Sequence, residues 1–227
     1  MKTQIMNFKR LLSYLIPIKI EEVKSSINKN LEITWNNGQL VLDSKNTNFS
    51  YGSLQKVLHF GLKEVGFERI KSFKNILVLG VAGGSVIKTL IDEIQYEGEI
   101  TGIEIDPKTI IFANKYFGLD KIKNLQITIT DAKKFITGTK ETYHLIIIDI
   151  FEDDIMPAFL FENEFISNIL KILKANSYVV FNTIVNNNAD EIRNENFVKL
   201  IALKHIKIER IANLEGNNEL LILNNLL

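Results

Sequence analysis

Asn75-Ile76-Leu77-Val78-Leu79-Gly80-Val81-Ala82-Gly83-Gly84-Ser85 is the stretch that decides the fold. A short apolar run enters a glycine-rich turn, and residues 85–94 then follow helical spacing. The rhythm repeats downstream. Strands are expected over residues 99–105, 125–130, 144–149 and 177–183, alternating with helices over 107–117, 132–136, 162–173 and 191–203. Residues 204–211 and 219–223 read as a closing hairpin that adds one antiparallel strand. Alternating strands and helices predict an α/β fold with a doubly wound, mostly parallel seven-stranded sheet and right-handed crossovers. Leu145-Ile146-Ile147-Ile148 is apolar throughout, as a strand covered on both faces must be.

Upstream, a helix near residues 8–15 is stopped by Pro17. Residues 18–23 alternate in polarity. The runs 31–35 and 39–43 flank Asn36-Asn37-Gly38, a hairpin signal. A helix follows over residues 51–65, with Leu54, Val57, Leu58 and Leu62 on one side. The expected division is 1–48, a small helix-plus-hairpin region, and 49–227, the sheet domain.

Composition narrows the function. Lys plus Arg and Asp plus Glu each number 27, so no net field recruits nucleic acid or an anionic membrane. Without cysteine there is no disulfide, thiolate nucleophile or Cys-based zinc site, and His59, His144 and His205 share no ligand spacing. No metal site is expected. The apolar runs are short, and the first twenty residues hold Lys9 and Arg10 within their apolar pattern, unlike a signal peptide or membrane span. A cytoplasmic protein is the expectation.

In a doubly wound sheet, ligands sit beyond the carboxyl ends of the strands, where strand order reverses. Four segments deliver residues there. The turn with Gly80, Ala82 and Gly84 lets backbone amides approach a ligand closely. Glu104 ends the next strand about 20 residues beyond Gly84, the spacing at which an acid reaches ribose hydroxyls. Asp106 before Pro107 reads as a helix cap. Asp131 reads either as a cap or as an acceptor for an adenine amino group. Asp149 ends the most apolar strand and opens an acidic run with Glu152, Asp153 and Asp154. Such a patch suits a cationic substrate, and a desolvated carboxylate there can act as general base toward an amine.

In this order the segments resemble the class I S-adenosylmethionine methyltransferase fold, and more closely its spermidine synthase branch, over about residues 31–227. Asn37-Gly38-Gln39-Leu40-Val41-Leu42-Asp43 is similar to the family's N-terminal hairpin. Asn48-Phe49-Ser50-Tyr51 resembles the segment leading into its gatekeeping helix. Ile148-Asp149-Ile150-Phe151-Glu152, Pro157-Ala158 and Leu160-Phe161 resemble its catalytic stretch. The resemblance implies S-adenosylmethionine, or its decarboxylated form, bound without a metal. Gly80, Ala82 and Gly84 would border its methionine part, Glu104 its ribose and Asp131 its adenine. Asp149 would deprotonate the attacking amine, and Glu152 and Tyr51 would contact the acceptor. It also implies a homodimer assembled through the N-terminal region.

Several positions depart from that family: Val81, Ala82 and Ser85 stand where it has glycines. Gly83 stands where an acid grips the aminopropyl ammonium, and Gly52-Ser53 replaces a Gln-Glu or His-Glu pair. The sequence therefore favours methyl transfer to a small amine, with aminopropyl transfer in polyamine biosynthesis as the alternative. A nucleoside-binding relative without turnover is a second alternative. A nicotinamide oxidoreductase would share the glycine turn and Glu104, but no constellation for hydride chemistry accompanies them.

Overall fold

A computed structural model of the chain describes residues 2–44, 48–50, 53–152, 155–204 and 206–225. Helix α1 (Lys2–Leu12) precedes Pro17, starting earlier than its apolar pattern indicated. Strands β1 (Ile18–Ser25), β2 (Lys29–Asn36), β3 (Gln39–Ser44) and β4 (Asn48–Ser50) form an antiparallel sheet in chain order. Asn37 and Gly38 both take positive φ, 48° and 76°, the geometry a two-residue hairpin turn demands. Alternation buries Leu31 and Ile33 on one face, where with Leu42 they pack on Phe112 of the large sheet's layer. The small sheet is thereby seated beside the larger one.

After α2 (Ser53–Val65) and α3 (Phe67–Lys71) the chain builds the seven-stranded sheet. Its strands are β5 (Asn75–Leu79), β6 (Glu99–Glu104), β7 (Leu125–Ile129), β8 (Tyr143–Ile148), β9 (Leu173–Ile184), β10 (Lys207–Leu214) and β11 (Asn218–Asn225). The order is β10-β11-β9-β8-β5-β6-β7, and only β11 runs against its neighbours. The α/β doubly wound, mostly parallel seven-stranded sheet and the separate N-terminal β unit are thus as expected. Helices α4 (Ser85–Lys88), α5 (Pro107–Phe112), α6 (Ala132–Gly138), α7 (Asn163–Lys171) and α8 (Asn188–Ala202) cover its faces. Both α4 and α5 widen into π turns, Thr89–Glu93 and Ala113–Phe117, where regular helices were expected.

The strands are apolar throughout because both faces are buried. Ile76, Val78, Leu145 and Ile147 point into one core with Val57, Leu58 and Leu62 of α2. Leu77, Leu79, Ile146 and Ile148 point into the other with Phe165 and Ile169 of α7. Helix α8 starts before residue 191 because Asn187 caps it, accepting from the amides of Ala189 and Asp190. Strand order reverses at β5, between β6 and β8, so the site expected above their carboxyl ends has a defined place.

Candidate active site

The carboxyl ends of β5, β6 and β8 are stitched together by backbone. Gly80 N–H donates to Ile103 O at 2.9 Å, and Asp149 N–H donates to Leu79 O at 2.9 Å. Gly80 takes φ 88°, and a Cβ there would lie 2.0 Å from the carbonyl oxygen of Asp149. Only glycine lets the turn pass this close to the end of β8. Ala82 also holds a positive φ, 47°, which aims its N–H at Glu104 Oε2, 3.0 Å away. Gly84 takes a left-handed conformation ahead of α4, where a Cβ would meet Leu119 at 2.5 Å. It shapes the turn by close packing and is not among the residues lining the cleft.

Glu104 is 8% exposed, and its carboxylate is fixed by three amides. Oε2 accepts from Ala82, while Oε1 accepts from Ile105 at 2.9 Å and Asp106 at 3.0 Å. A carboxylate offers about four acceptor positions, so about one remains, on Oε2, for a ligand hydroxyl. Burial raises the Glu104 pKa, the amides oppose that rise, and the neighbouring Asp106 adds to it. Asp106 caps α5 through Lys108 N–H at 2.9 Å. Its other oxygen accepts from Asn28 Nδ2 at 2.9 Å and from the Ser25 hydroxyl. The turn between β1 and β2 is thus tied to the site, and Ile27 and Asn28 become part of its wall.

Asp131 caps α6, with Oδ1 accepting from Lys134 N–H at 2.8 Å, and it also lines the cleft. The two readings of this residue are compatible. Asp149 sits partly exposed at the end of β8, and its Oδ1 accepts from Asn182 Nδ2 at 2.9 Å. Burial pushes its carboxyl up from 3.8 to about 6, with the Asn182 bond opposing. Glu152 is exposed at the mouth, on a tight turn closed by its backbone exchange with Ile155.

One cleft therefore gathers Gly80, Ala82, Glu104, Asp131, Asp149 and Glu152. Tyr51, Gly52, Asp153 and Asp154 lie outside the described residues. The apolar walls come from Ile103, Ile105, Ile150, Phe151 and Phe159, and the described lining contains four carboxylates and no Lys, Arg or His. The flat apolar walls, the carboxylate with an acceptor position left, and the absence of a lining cation fit a positively charged nucleoside. Asn182, Ser25 and Asn28 were not singled out from sequence. Asn182 interrupts the apolar run Val179-Val180-Phe181, which was its one visible signal.

Strand order and cleft together define a class I methyltransferase-like fold with its ligand crevice at the switch point. Solved structures share it: a probable spermidine synthase from Corynebacterium glutamicum superposes with TM-score 0.74 at 16% identity, covering 91% of this chain and 79% of that one. Human methyltransferase-like protein 13 in complex with SAH gives 0.63 at 21% identity, covering 76% and 82%. The chain belongs to the spermine/spermidine synthase domain family, whose model matches residues 55–197. The polyamine aminopropyltransferase of Vibrio vulnificus is 31% identical over 113 residues, 48% of this chain. The match spans only 38% of that relative's length.

These matches overturn the expectation of methyl transfer and fit its aminopropyl alternative. That expectation rested on Gly83 and Gly52-Ser53. Gly83 is buried within the turn. Ser53 opens α2, and Gly52 lies outside the described residues. Among the described residues no helix is long and apolar enough to cross a membrane.

Proposed function

We propose that the chain transfers an aminopropyl group from decarboxylated S-adenosylmethionine to a small cationic amine of the polyamine class. The observation that supports this most is Asp149, at the switch point of a cleft whose described titratable lining residues are all acids, with its carboxyl pushed up to about 6 by burial. It is mostly ionised at neutral pH yet close enough in basicity to take a proton from an approaching amine. Membership of the spermine/spermidine synthase domain family supports the same reading.

Each residue then has a part. The remaining acceptor position of Glu104 takes a ribose hydroxyl, Asp131 faces the adenine amino group, and Ile105 and Ile150 flank the base. Glu152 holds the distal ammonium of the acceptor at the mouth. The donor supplies an electrophilic carbon beside a sulfonium. Asp149 accepts the proton of the attacking nitrogen; the N–C bond forms as the C–S bond breaks, and the electron pair stays on a neutral thioether. Alignment and one proton transfer suffice, with no covalent intermediate on the protein.

The cleft's charge sets the donor preference. S-adenosylmethionine carries a carboxylate that the decarboxylated form lacks, and no cation lines the described cleft to receive it. Calorimetry is expected to show the decarboxylated donor binding at least about tenfold more tightly, about 1.4 kcal/mol. Equal or tighter binding of S-adenosylmethionine would contradict the assignment.

A further inference from the structure

Asn182 is completely buried in β9, opposite Leu220 of β11, and its Nδ2 donates to Asp149 Oδ1 at 2.9 Å. Its own Oδ1 is buried with no hydrogen-bond partner among the described residues. An unpaired buried amide oxygen is costly, and a Leu of nearly the same shape would avoid that cost. An otherwise apolar stretch of strand carries the amide nonetheless. An Asn amide can turn by half a revolution and exchange its donor for its acceptor. Here the turn sacrifices no other bond of the oxygen.

We propose that Asn182 is the positioning residue for Asp149, donating to the carboxylate before catalysis and, after a half-turn of its amide, accepting from the carboxylic acid once the proton has been taken. Both protonation states of the base are then held in one place, so the carboxyl need not swing as the acceptor reacts. Among the described residues the titratable groups lining the cleft with it are Glu104 from β6, Asp131 beyond β7 and Glu152 on its own loop, all acids. No described lining cation can take over the task of holding the carboxylate. The inference rests on Asp149 serving as the base.

The test replaces Asn182 by Leu and by Thr, whose hydroxyl also both donates and accepts. Two readouts are taken: carboxyl carbon NMR titration of Asp149, assigned by its loss in Asp149→Asn, and the pH profile of kcat. In Asn182→Leu the Asp149 titration is expected to move to higher pH, because the bond that favours the ionised form is gone. Its kcat is expected to fall about 10- to 100-fold, the loss of a hydrogen bond to a charged group. Donor affinity is expected to hold, which separates loss of the Asp149 contact from loss of the cleft's shape. Asn182→Thr is expected to recover part of both readouts. An unmoved titration and wild-type kcat in the Leu variant would overturn the proposal, as would a Thr variant no better than Leu. Should the Leu variant not fold, the Thr titration decides alone. If the wild type transfers nothing to amines, the functional reading falls, while the titration still decides the Asn182–Asp149 link.

Discussion

Asp149→Asn is expected to bind donor nearly as the wild type does and to turn over about 10²- to 10⁴-fold more slowly, the range for loss of a general base. The exchange is close to isosteric, and Asn182 can still hydrogen-bond to the new amide, so the cleft keeps its shape. What disappears is a group able to accept the amine's proton. The pH profile sharpens this. The wild-type rate is expected to fall as pH drops through about 6, where Asp149 becomes protonated. The variant should lose that limb. Stability moves the other way. The folded-state pKa lies above the ordinary 3.8, so the fold binds this proton more tightly than the unfolded chain does. Its ionisation then costs stability as pH rises from about 4 to about 6, and the cost persists at neutral pH. Asn removes it, so the variant should melt no lower at pH 7 than the wild type. Wild-type kcat in the variant, with amine saturating, would remove Asp149 from the chemistry.

Gly80→Ala should have the largest effect on the fold itself. The added Cβ would lie 2.0 Å from the Asp149 carbonyl oxygen, a backbone atom fixed at the end of β8. The φ of 88° is itself hostile to any side chain. Overpacking of about 1–3 kcal/mol and backbone strain of about 1–3 kcal/mol combine, for a loss of about 2–6 kcal/mol. In a chain of this size that lowers the melting temperature by about 4–24 °C. Because the clash pushes on Asp149, kcat should fall even in conditions where the variant is folded. Gly138→Ala is the control, since its added Cβ meets nothing within 4 Å. Equal melting of the two variants would show that the turn tolerates a wider separation from β8.

The sheet was legible in sequence because a strand buried on both faces must be continuously apolar, and residues 75–79 could be bounded to the residue. Glu104 and Asp149 were legible for the same reason: each is the acid at which an apolar strand stops. The partners of those acids were not. Asn182 reaches Asp149 across 33 positions and Asn28 reaches Asp106 across 78, pairings that only the packed sheets create. Gly84 owes its lack of a side chain to Leu119, a contact that no local pattern announces. The choice between methyl and aminopropyl transfer went wrong because two short departures were weighed against a likeness spread over the whole sheet.

The central claim is the group transferred, and one measurement addresses it directly. The protein is incubated with decarboxylated S-adenosylmethionine, or separately with S-adenosylmethionine, and a panel of diamines and polyamines, and the products are read by mass spectrometry. The account predicts an aminopropylated amine and an equal amount of methylthioadenosine from the decarboxylated donor alone, both lost in Asp149→Asn. A methylated amine formed from S-adenosylmethionine, with no aminopropyl product from the decarboxylated donor, would contradict it.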